Sequence, residues 1–145
     1  MPILKAIKSM LHYEHKAVVI AGKELDARIS DSFIKRMIGL MYEDDMPKNS
    51  CMLFVSRFSS TESIWMKDMR FSIDIIWLDK YKHIVATEEN VPPCKKILFC
   101  KTYKPDIPFR FVVELNAGFI KENGITALIL RHLSGLRLWR PPTEL

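Results

Sequence analysis

The sequence predicts a single mainly β domain of the α+β class: an antiparallel sandwich or jelly-roll-like barrel with two or three short peripheral helices. Apolar runs of strand length recur along the chain and are separated by turn residues. Few of the connections are long enough for the crossovers that parallel strands require. At 145 residues, with 48% hydrophobic and 27% charged residues, the chain fits one globular domain spanning residues 1–145.

The start of the chain predicts an amphipathic helix followed by a β-hairpin. Residues 3–13 place Ile, Leu and Met side chains on one helical face and lysines elsewhere. Such a helix packs on its own domain or on a partner subunit, so a homodimer through this helix is one expectation and a membrane surface the weaker alternative. Residues 17–21 and 25–29 flank a turn at Gly22 and are expected to pair as strands.

A second helix and a buried strand are expected next. Ser30 or Asp31 is predicted to cap a helix of about three turns. Gly39 would weaken that helix unless close packing requires it or the helix ends there. After a loop, Cys51–Val55 is predicted to form a strand. The helical side chains expected to face inward are Ile34, Met37, Ile38 and Met41.

The segment Trp65–Asp79 is the most informative part of the sequence. A short charged stretch precedes the apolar run 71–78, which Asp74 alone interrupts. A run this apolar predicts a strand with both faces covered. Because an ionised Asp is costly to bury without a cation or several hydrogen-bond donors, Asp74 predicts either a site or a structural anchor. Residues 83–88 are expected to pair back as the hairpin partner.

The last third of the chain predicts a long loop, a strand, a short helix and a final strand. Val91–Pro108 contains four prolines and is expected to be a structured loop forming the mobile lip of a site. Phe109–Leu115 alternates as a strand does, and a short helix should end near Asn123. A buried strand over 125–133 and a Pro-terminated tail, 134–145, are expected to follow. The side chains predicted to share one face of the alternating strand are Phe109, Phe111, Val113 and Leu115, with Arg110, Val112 and Glu114 on the other.

Charge and cysteine content restrict the partners and the compartment. The net charge is +5 and the pI is near 9.2, but the basic residues are spread evenly, whereas nucleic-acid binders concentrate them on one face. Specific nucleic-acid binding is therefore not expected. The start of the chain lacks the unbroken apolar region of a secretory signal, and no apolar run is long enough to span a membrane, so a cytoplasmic location is predicted.

The three cysteines form no disulfide framework, which favours a reducing compartment and free thiols. A Cys94–Cys100 bridge is the lesser alternative. Cys94, beside two lysines, is expected to be the reactive thiol, and Cys51 is expected to be buried and inert. Neither the cysteines nor the histidines have the spacing of a zinc site, so no metal and no cofactor are predicted.

Several short motifs occur in the order typical of one known family. They are Gly39-Leu40-Met41, Cys51-Met52-Leu53-Phe54, Trp65-Met66-Lys67-Asp68-Met69, Ile73-Asp74-Ile75-Ile76, residues 112–118 and Gly124-Ile125. Over about residues 25–126 the chain therefore resembles the uncharacterised domain-of-unknown-function family 192, also called the UPF-0127 group. The resemblance implies a mainly β sandwich or jelly-roll domain with no established activity, substrate or cofactor. The chain departs from the family at Asp68, usually Asn, and at Thr126-Ala127-Leu128, where Gly-Asp is usual.

Asp74 and Glu114 are the two carboxylates embedded in apolar strands and are the candidate catalytic residues. As a pair they could perform acid–base chemistry, since burial raises one pKa and a neighbouring charge separates the two. The favoured alternative is that each is an anchor that accepts hydrogen bonds or pairs with Lys67, Arg70 or Arg110.

Further candidate ligand-binding residues precede the Asp74 strand. Lys67 beside Trp65 could present a cation and an aromatic wall to an anionic ligand, or could simply pair with Asp68 or Asp74. Methionines such as Met66 could line an adaptable groove, although core filling explains most of them. The predicted ligand site, placed in a concavity between this region and the Pro-rich loop, comprises Trp65, Met66, Lys67, Asp68, Asp74 and Glu114.

These observations favour a small, cytoplasmic, mainly β module that binds a small molecule or peptide without catalysis. The first alternative is a metal-independent enzyme that uses the Asp74/Glu114 pair. The second is a nucleic-acid accessory protein whose dispersed basic residues converge in the fold. A sandwich hosts many functions, so the fold class does not decide between them.

Overall fold

The computed structural model describes residues 2–125, and the predicted strand over 125–133 and the tail 134–145 lie outside that range apart from Ile125 itself. The mainly β class with short peripheral helices is confirmed. The elements in chain order are α1 Pro2–Met10, β1 Glu14–Ile20, β2 Lys23–Ser30, α2 Phe33–Ile38, β3 Ser50–Ser60, β4 Ile64–Trp65, β5 Ile73–Leu78, β6 Ile84–Val91, β7 Thr102–Tyr103, β8 Phe109–Asn116 and α3 Phe119–Glu122.

Six of these strands form one sheet in the order β1-β2-β3-β8-β5-β6, and β4 pairs with β7 in a separate ribbon. Within residues 2–125 the sheet does not close into a barrel. Both predicted hairpins, β1–β2 and β5–β6, are confirmed. The pair β2–β3 is parallel, contrary to the antiparallel expectation, because the segment from Ser30 to Ser50 is long enough to cross over and carries α2 on the way.

The helix α2 is shorter than its sequence pattern predicted. Its cap is Ser32, whose hydroxyl accepts a hydrogen bond from the Lys35 amide at 3.3 Å, and not Ser30 or Asp31. It ends at Gly39, whose φ of 48° favours glycine. A Cβ at Gly39 would lie 3.1 Å from the Phe54 ring, so both suggested reasons for a glycine apply.

The core consists of two clusters of buried side chains, one on each face of the sheet. Strand β5 is buried along its whole length, as predicted, because Ile76 and Leu78 enter the first cluster while Ile75 and Trp77 enter the second. The predicted facing of β8 is correct except at Phe109, which packs in the second cluster. The β3–β8 register shifts between Val55 and Ser60, which is opposite the step from Phe111 to Phe109, and this shift accounts for the reversal.

The Pro-rich loop, Val91–Pro108, is held at several points. Its residues Thr102 and Tyr103 form β7, and Cys94 pairs with Lys67 in an isolated bridge. A disulfide joins Cys94 to Cys100, so the prediction of free thiols at these two positions is wrong. Two thiols only six residues apart in a turning segment are close enough to be bridged, a proximity that the sequence spacing alone does not establish.

Candidate ligand-binding site

Asp74 is fully buried on β5, and its carboxylate accepts two backbone hydrogen bonds. Oδ1 accepts from the Asn90 amide and Oδ2 from the Ile120 amide, each at 2.8 Å. The β5–β6 register changes between Ile73 and Ile75, so β6 has one extra residue at this point that is not paired with β5. The Asp74 carboxylate accepts the hydrogen bond of the Asn90 amide there. Ile120 lies in the first turn of α3, whose N-cap provides no side-chain hydrogen bond.

Asp74 therefore joins three elements, β5, β6 and α3, through one side chain. This geometry fits the interpretation of Asp74 as a structural anchor. The groups that compensate its buried charge are backbone amides and not a cation. The lysine and arginines suggested as partners are engaged elsewhere: Lys67 donates to the Ile97 carbonyl, Arg70 pairs with Asp44, and Arg110 donates to the Ser56 carbonyl.

Glu114 lies on the strand next to Asp74 but faces the other side of the sheet. Glu114 is paired with Ile75, and Asp74 with Leu115, so alternation directs the two carboxylates in opposite directions. Ile75 belongs to the second cluster and Leu115 to the first. The Asp74/Glu114 pair postulated for acid–base catalysis therefore does not share a site.

Glu114 lines a cavity of about 580 Å³ on the second face of the sheet. We call this cavity the Glu114 pocket. Its walls are formed by α2 and the turn after it, by β3, by the β3–β4 connection and by β8. The apolar side chains that line it are Phe33, Met37, Ile38, Leu40, Met41, Phe54, Ile64, Trp65, Met69, Phe109 and Val112.

The Glu114 side chain is 5% exposed, and among residues 2–125 it makes no hydrogen bond. Burial raises its pKa to about 8, and the charge of Glu43 acts in the same direction. The cations Lys8 and Arg28 act against this rise. At neutral pH the carboxyl is therefore mainly protonated and can donate a hydrogen bond into the cavity.

A network of three charged side chains lies beside Glu114. Lys8 on α1 contacts Glu43 at 2.6 Å and donates to the Gly39 carbonyl at 2.6 Å. Arg28 on β2 forms two hydrogen bonds with Glu43, at 3.0 and 2.8 Å. Sequence reasoning missed these residues, because α1, β2 and the loop after α2 are far apart in the chain and no local pattern links them.

The predicted ligand residues are only partly brought together. Trp65 is half-exposed and lines the Glu114 pocket, whereas Met66, Lys67 and Asp68 do not line it. Met66 is buried in the second cluster, and the Lys67 ammonium lies 5.7 Å from the centre of the Trp65 ring. The Asp68 carboxylate accepts a hydrogen bond from the Tyr42 hydroxyl at 3.2 Å.

The cavity also lies in a different place from the predicted one. In the part of the chain that the structure describes, no residue of the Pro-rich loop lines it. Helix α2 lines the pocket, and the loop does not. The predicted role of the loop as the lip of the site therefore does not apply to this pocket. The periodic apolar face of α2 was visible in the sequence, but an inward face predicts burial equally well.

Two other kinds of functional element are absent from residues 2–125. Among the residues that the structure describes, no group of three or more His, Cys, Asp or Glu side chains is placed to hold a metal ion. No helix within this range is long and apolar enough to cross a membrane. Cys51 is a buried free thiol whose pKa is raised to about 12 by burial, which confirms the expectation that it is buried.

Comparison with known proteins places this domain in a class without assigned chemistry. A family model for domain-of-unknown-function family 192, described as an uncharacterised ACR, matches residues 16–127. The UPF0127 protein PF1050 of Pyrococcus furiosus is 30% identical over 107 residues, which cover 71% of this chain and 84% of the relative. The chain belongs to this family, as its motifs indicated.

Two solved structures share the fold. A proposed transcription regulator from Sinorhizobium meliloti 1021 is 24% identical, with a TM-score of 0.71 over 80% of this chain and 91% of that chain. A protein of unknown function from Novosphingobium aromaticivorans is 19% identical, with a TM-score of 0.69 over 80% of this chain and 81% of that chain. At these identities the likeness shows the fold alone.

Proposed function

We propose that the protein is a non-catalytic binding module whose ligand occupies the Glu114 pocket. The observation that carries this proposal is the Glu114 carboxyl, which is 5% exposed, makes no hydrogen bond within residues 2–125 and lines a mainly apolar cavity. The fully enclosed polar atoms without a partner in residues 2–125 belong to Tyr13, Ser30 and Trp77, so the Glu114 oxygens keep access to the cavity, where a ligand can complete their hydrogen bonding. A cavity of about 580 Å³ is large enough for a small molecule or an apolar peptide side chain.

The chemistry around Glu114 favours a ligand with an apolar body and one neutral hydrogen-bond acceptor. The raised pKa keeps Glu114 protonated at neutral pH, so that it offers a donor. Lys8 and Arg28 are close enough to influence Glu114, and they disfavour a cationic ligand beside it. An aliphatic chain carrying an amide or ketone carbonyl fits both conditions.

Binding is favoured over the enzyme alternative by the separation of the two carboxyls. The titratable side chains lining the pocket within residues 2–125 are Glu114, Arg36 and the exposed Glu62. Arg36 already donates to the carbonyls of Asp31 and Val55, each at 3.1 Å. The carboxyl pair of the enzyme alternative is not found in this lining, because Asp74 is not part of it and Glu62 is exposed.

A calorimetric titration with matched aliphatic probes tests the proposal. We expect a medium-chain alkyl amide to bind more tightly than the alkylamine of equal length. Glu114→Gln keeps a donor and should retain binding, whereas Glu114→Leu should lose about tenfold in affinity, the worth of one buried hydrogen bond. Failure of every probe to bind, or tighter binding of the amine, would contradict the proposal. A Glu89→Gln variant, altered at an exposed position that does not line the pocket, is the control for general effects of charge.

Three finer expectations belong with this proposal. We infer a cytoplasmic location. The 30% identical relative belongs to Pyrococcus furiosus, and intracellular proteins of hyperthermophilic archaea are rich in disulfides, so a source of that kind would make the Cys94–Cys100 bridge compatible with this location. The jelly-roll topology stays a prediction: the β4–β7 ribbon beside the six-stranded sheet favours it, and the parallel β2–β3 pair departs from it. A homodimer through α1 is supported by the exposed side chains of Ile3 and Met10, and light scattering of an Ile3→Ser/Met10→Ser variant tests it.

A further inference from the structure

The tip of the Pro-rich loop presents consecutive apolar side chains to solvent. Ile97, Leu98 and Phe99 are 86%, 66% and 90% exposed. Single exposed apolar residues are ordinary, but three in succession on one projecting loop form a patch that folding of residues 2–125 leaves uncovered. Phe99 also has a φ of 62°, a conformation that bulky residues rarely adopt.

The tip is fixed to the domain and is not a free segment. The Cys94–Cys100 disulfide joins the two ends of the segment that carries the apolar tip. The Cys94 amide donates to the Met66 carbonyl at 2.9 Å, and the Lys67 ammonium donates to the Ile97 carbonyl at 3.3 Å. A closed, anchored loop loses less conformational entropy when it docks than an open one would.

The part of the loop from residue 92 to residue 105 carries charge of one sign only. Between residues 92 and 105 the chain carries lysines and no acidic residue. Lys95 and Lys96 directly precede the apolar tip, Lys101 follows it, and all three are exposed. Apolar side chains flanked by lysines match a surface that is negative outside and apolar beneath, which is the arrangement of an anionic lipid bilayer.

We propose that the disulfide-closed loop Cys94–Cys100 docks the protein on anionic membrane surfaces, with Ile97, Leu98 and Phe99 entering the interface and the flanking lysines contacting the headgroups. A nucleic acid would use the lysines and could stack a base on Phe99, but it would not use the aliphatic side chains of Ile97 and Leu98. An acidic protein face would not need three adjacent apolar side chains. The lipid surface accounts for both features, and the proposal is independent of the ligand of the Glu114 pocket.

Vesicle flotation tests this proposal on the full chain. We expect the protein to float with vesicles of phosphatidylcholine containing one third phosphatidylglycerol and to remain in solution with phosphatidylcholine alone. Each lysine near such a surface contributes about a fivefold gain in binding, so Lys95→Glu/Lys96→Glu should lose about 25-fold or more. The matched control is Lys48→Glu/Lys121→Glu, which makes the same charge change at exposed sites outside the loop.

The apolar tip has its own variant and control. Ile97→Ser/Leu98→Ser/Phe99→Ser should reduce flotation at least tenfold, whereas Phe58→Ser, which removes an exposed aromatic ring elsewhere, should leave it unchanged. Phe99→Trp should gain fluorescence quenching by lipids brominated on their acyl chains. All substituted positions are exposed, so the variants are expected to fold, and circular dichroism checks this.

Three results would overturn the proposal. One is equal flotation of the wild type and the triple serine variant. Another is tight binding to a mixed oligonucleotide that needs the lysines but not the tip, without binding to anionic vesicles. The third is a dimer that depends on residues 97–99 in the absence of lipid and does not bind vesicles.

Discussion

The two buried carboxyls of neighbouring strands differ in how their oxygens are satisfied. Asp74 accepts a backbone hydrogen bond on each oxygen, whereas Glu114 accepts none within residues 2–125 and faces a cavity. Both are at most 5% exposed. Burial alone therefore does not distinguish a candidate site from a structural anchor. The two carboxyls differ in whether their oxygens are hydrogen-bonded within the protein.

This difference predicts substitutions of unequal cost. Asp74→Ala leaves the amides of Asn90 and Ile120 without their acceptor, so we expect a loss of about 2–4 kcal/mol in the free energy of unfolding. Asp74→Asn keeps one acceptor oxygen and should lose less. Urea unfolding measures both. An unchanged midpoint in Asp74→Ala would contradict the anchoring role.

Removing the charge at Glu114 should raise the free energy of unfolding, whereas the substitution at Asp74 should lower it. Folding raises the pKa of this carboxyl from an ordinary 4.5 to about 8, so the folded state holds a proton that the unfolded state releases. Its contribution to stability is fully present below about pH 4.5 and is lost as the pH rises through 8. Relative to the wild type, Glu114→Gln should gain about 1–3 kcal/mol between these limits.

Unfolding by urea at a series of pH values measures this gain. Glu62→Gln, an exposed change of the same chemistry, serves as the control and should show no comparable trend. A constant difference between the wild type and Glu114→Gln across the range would show that Glu114 does not titrate near neutral pH. The difference between Glu114 and Asp74 would then lie in their hydrogen bonding and not in their protonation.

A substitution at Gly39, in the wall of the Glu114 pocket, should lower stability by a smaller amount. Gly39 has a positive φ, and a Cβ there would lie 3.1 Å from the Phe54 ring. We expect Gly39→Ala to lose about 1–2 kcal/mol and to weaken probe binding, because Phe54 lines the same cavity and must shift. The paired control is Gly22→Ala, where φ is also positive but no atom lies within 4 Å of the added carbon.

If both glycine variants lose the same stability, the cost is backbone strain alone. A greater loss at Gly39 together with weaker ligand binding would assign the excess to Phe54. Unchanged affinity for the alkyl amide in Gly39→Ala would show that the ligand does not use this wall. Thermal unfolding and calorimetry on the same samples separate these outcomes.

Local patterns predicted most of the fold and only part of the site. The hairpins, the buried strand β5 and the short α3 follow from alternation and turn residues near one another in sequence. The carboxylate within an apolar run identified Asp74 as an anchor or site. Its two donors, at Asn90 and Ile120, depend on a register irregularity and on a helix end far along the chain, and no spacing rule gives these.

The Glu114 side of the sheet was less predictable for the same reason. Glu114 was a candidate because it lies in an apolar strand, but its pairing opposite Ile75 decides which face it occupies. The parallel β2–β3 pair, which brings Arg28 beside this face, runs against the usual preference for antiparallel neighbours. Interactions between distant segments therefore determine the electrostatics of the pocket.

The smallest expected effect concerns the cation contributed by α1. The charge of Lys8 lowers the pKa of Glu114, so Lys8→Met should shift the titration of Glu114 to higher pH. Arg28 keeps its two hydrogen bonds to Glu43, so the rest of the charged network remains. Carboxyl-carbon NMR over a pH series follows this shift, with Lys5→Met, an exposed change on the same helix, as the control. If the titration of Glu114 does not move in Lys8→Met, then α1 does not contribute to the field in the pocket. The difference from Asp74 would then have to come from burial and missing hydrogen bonds alone.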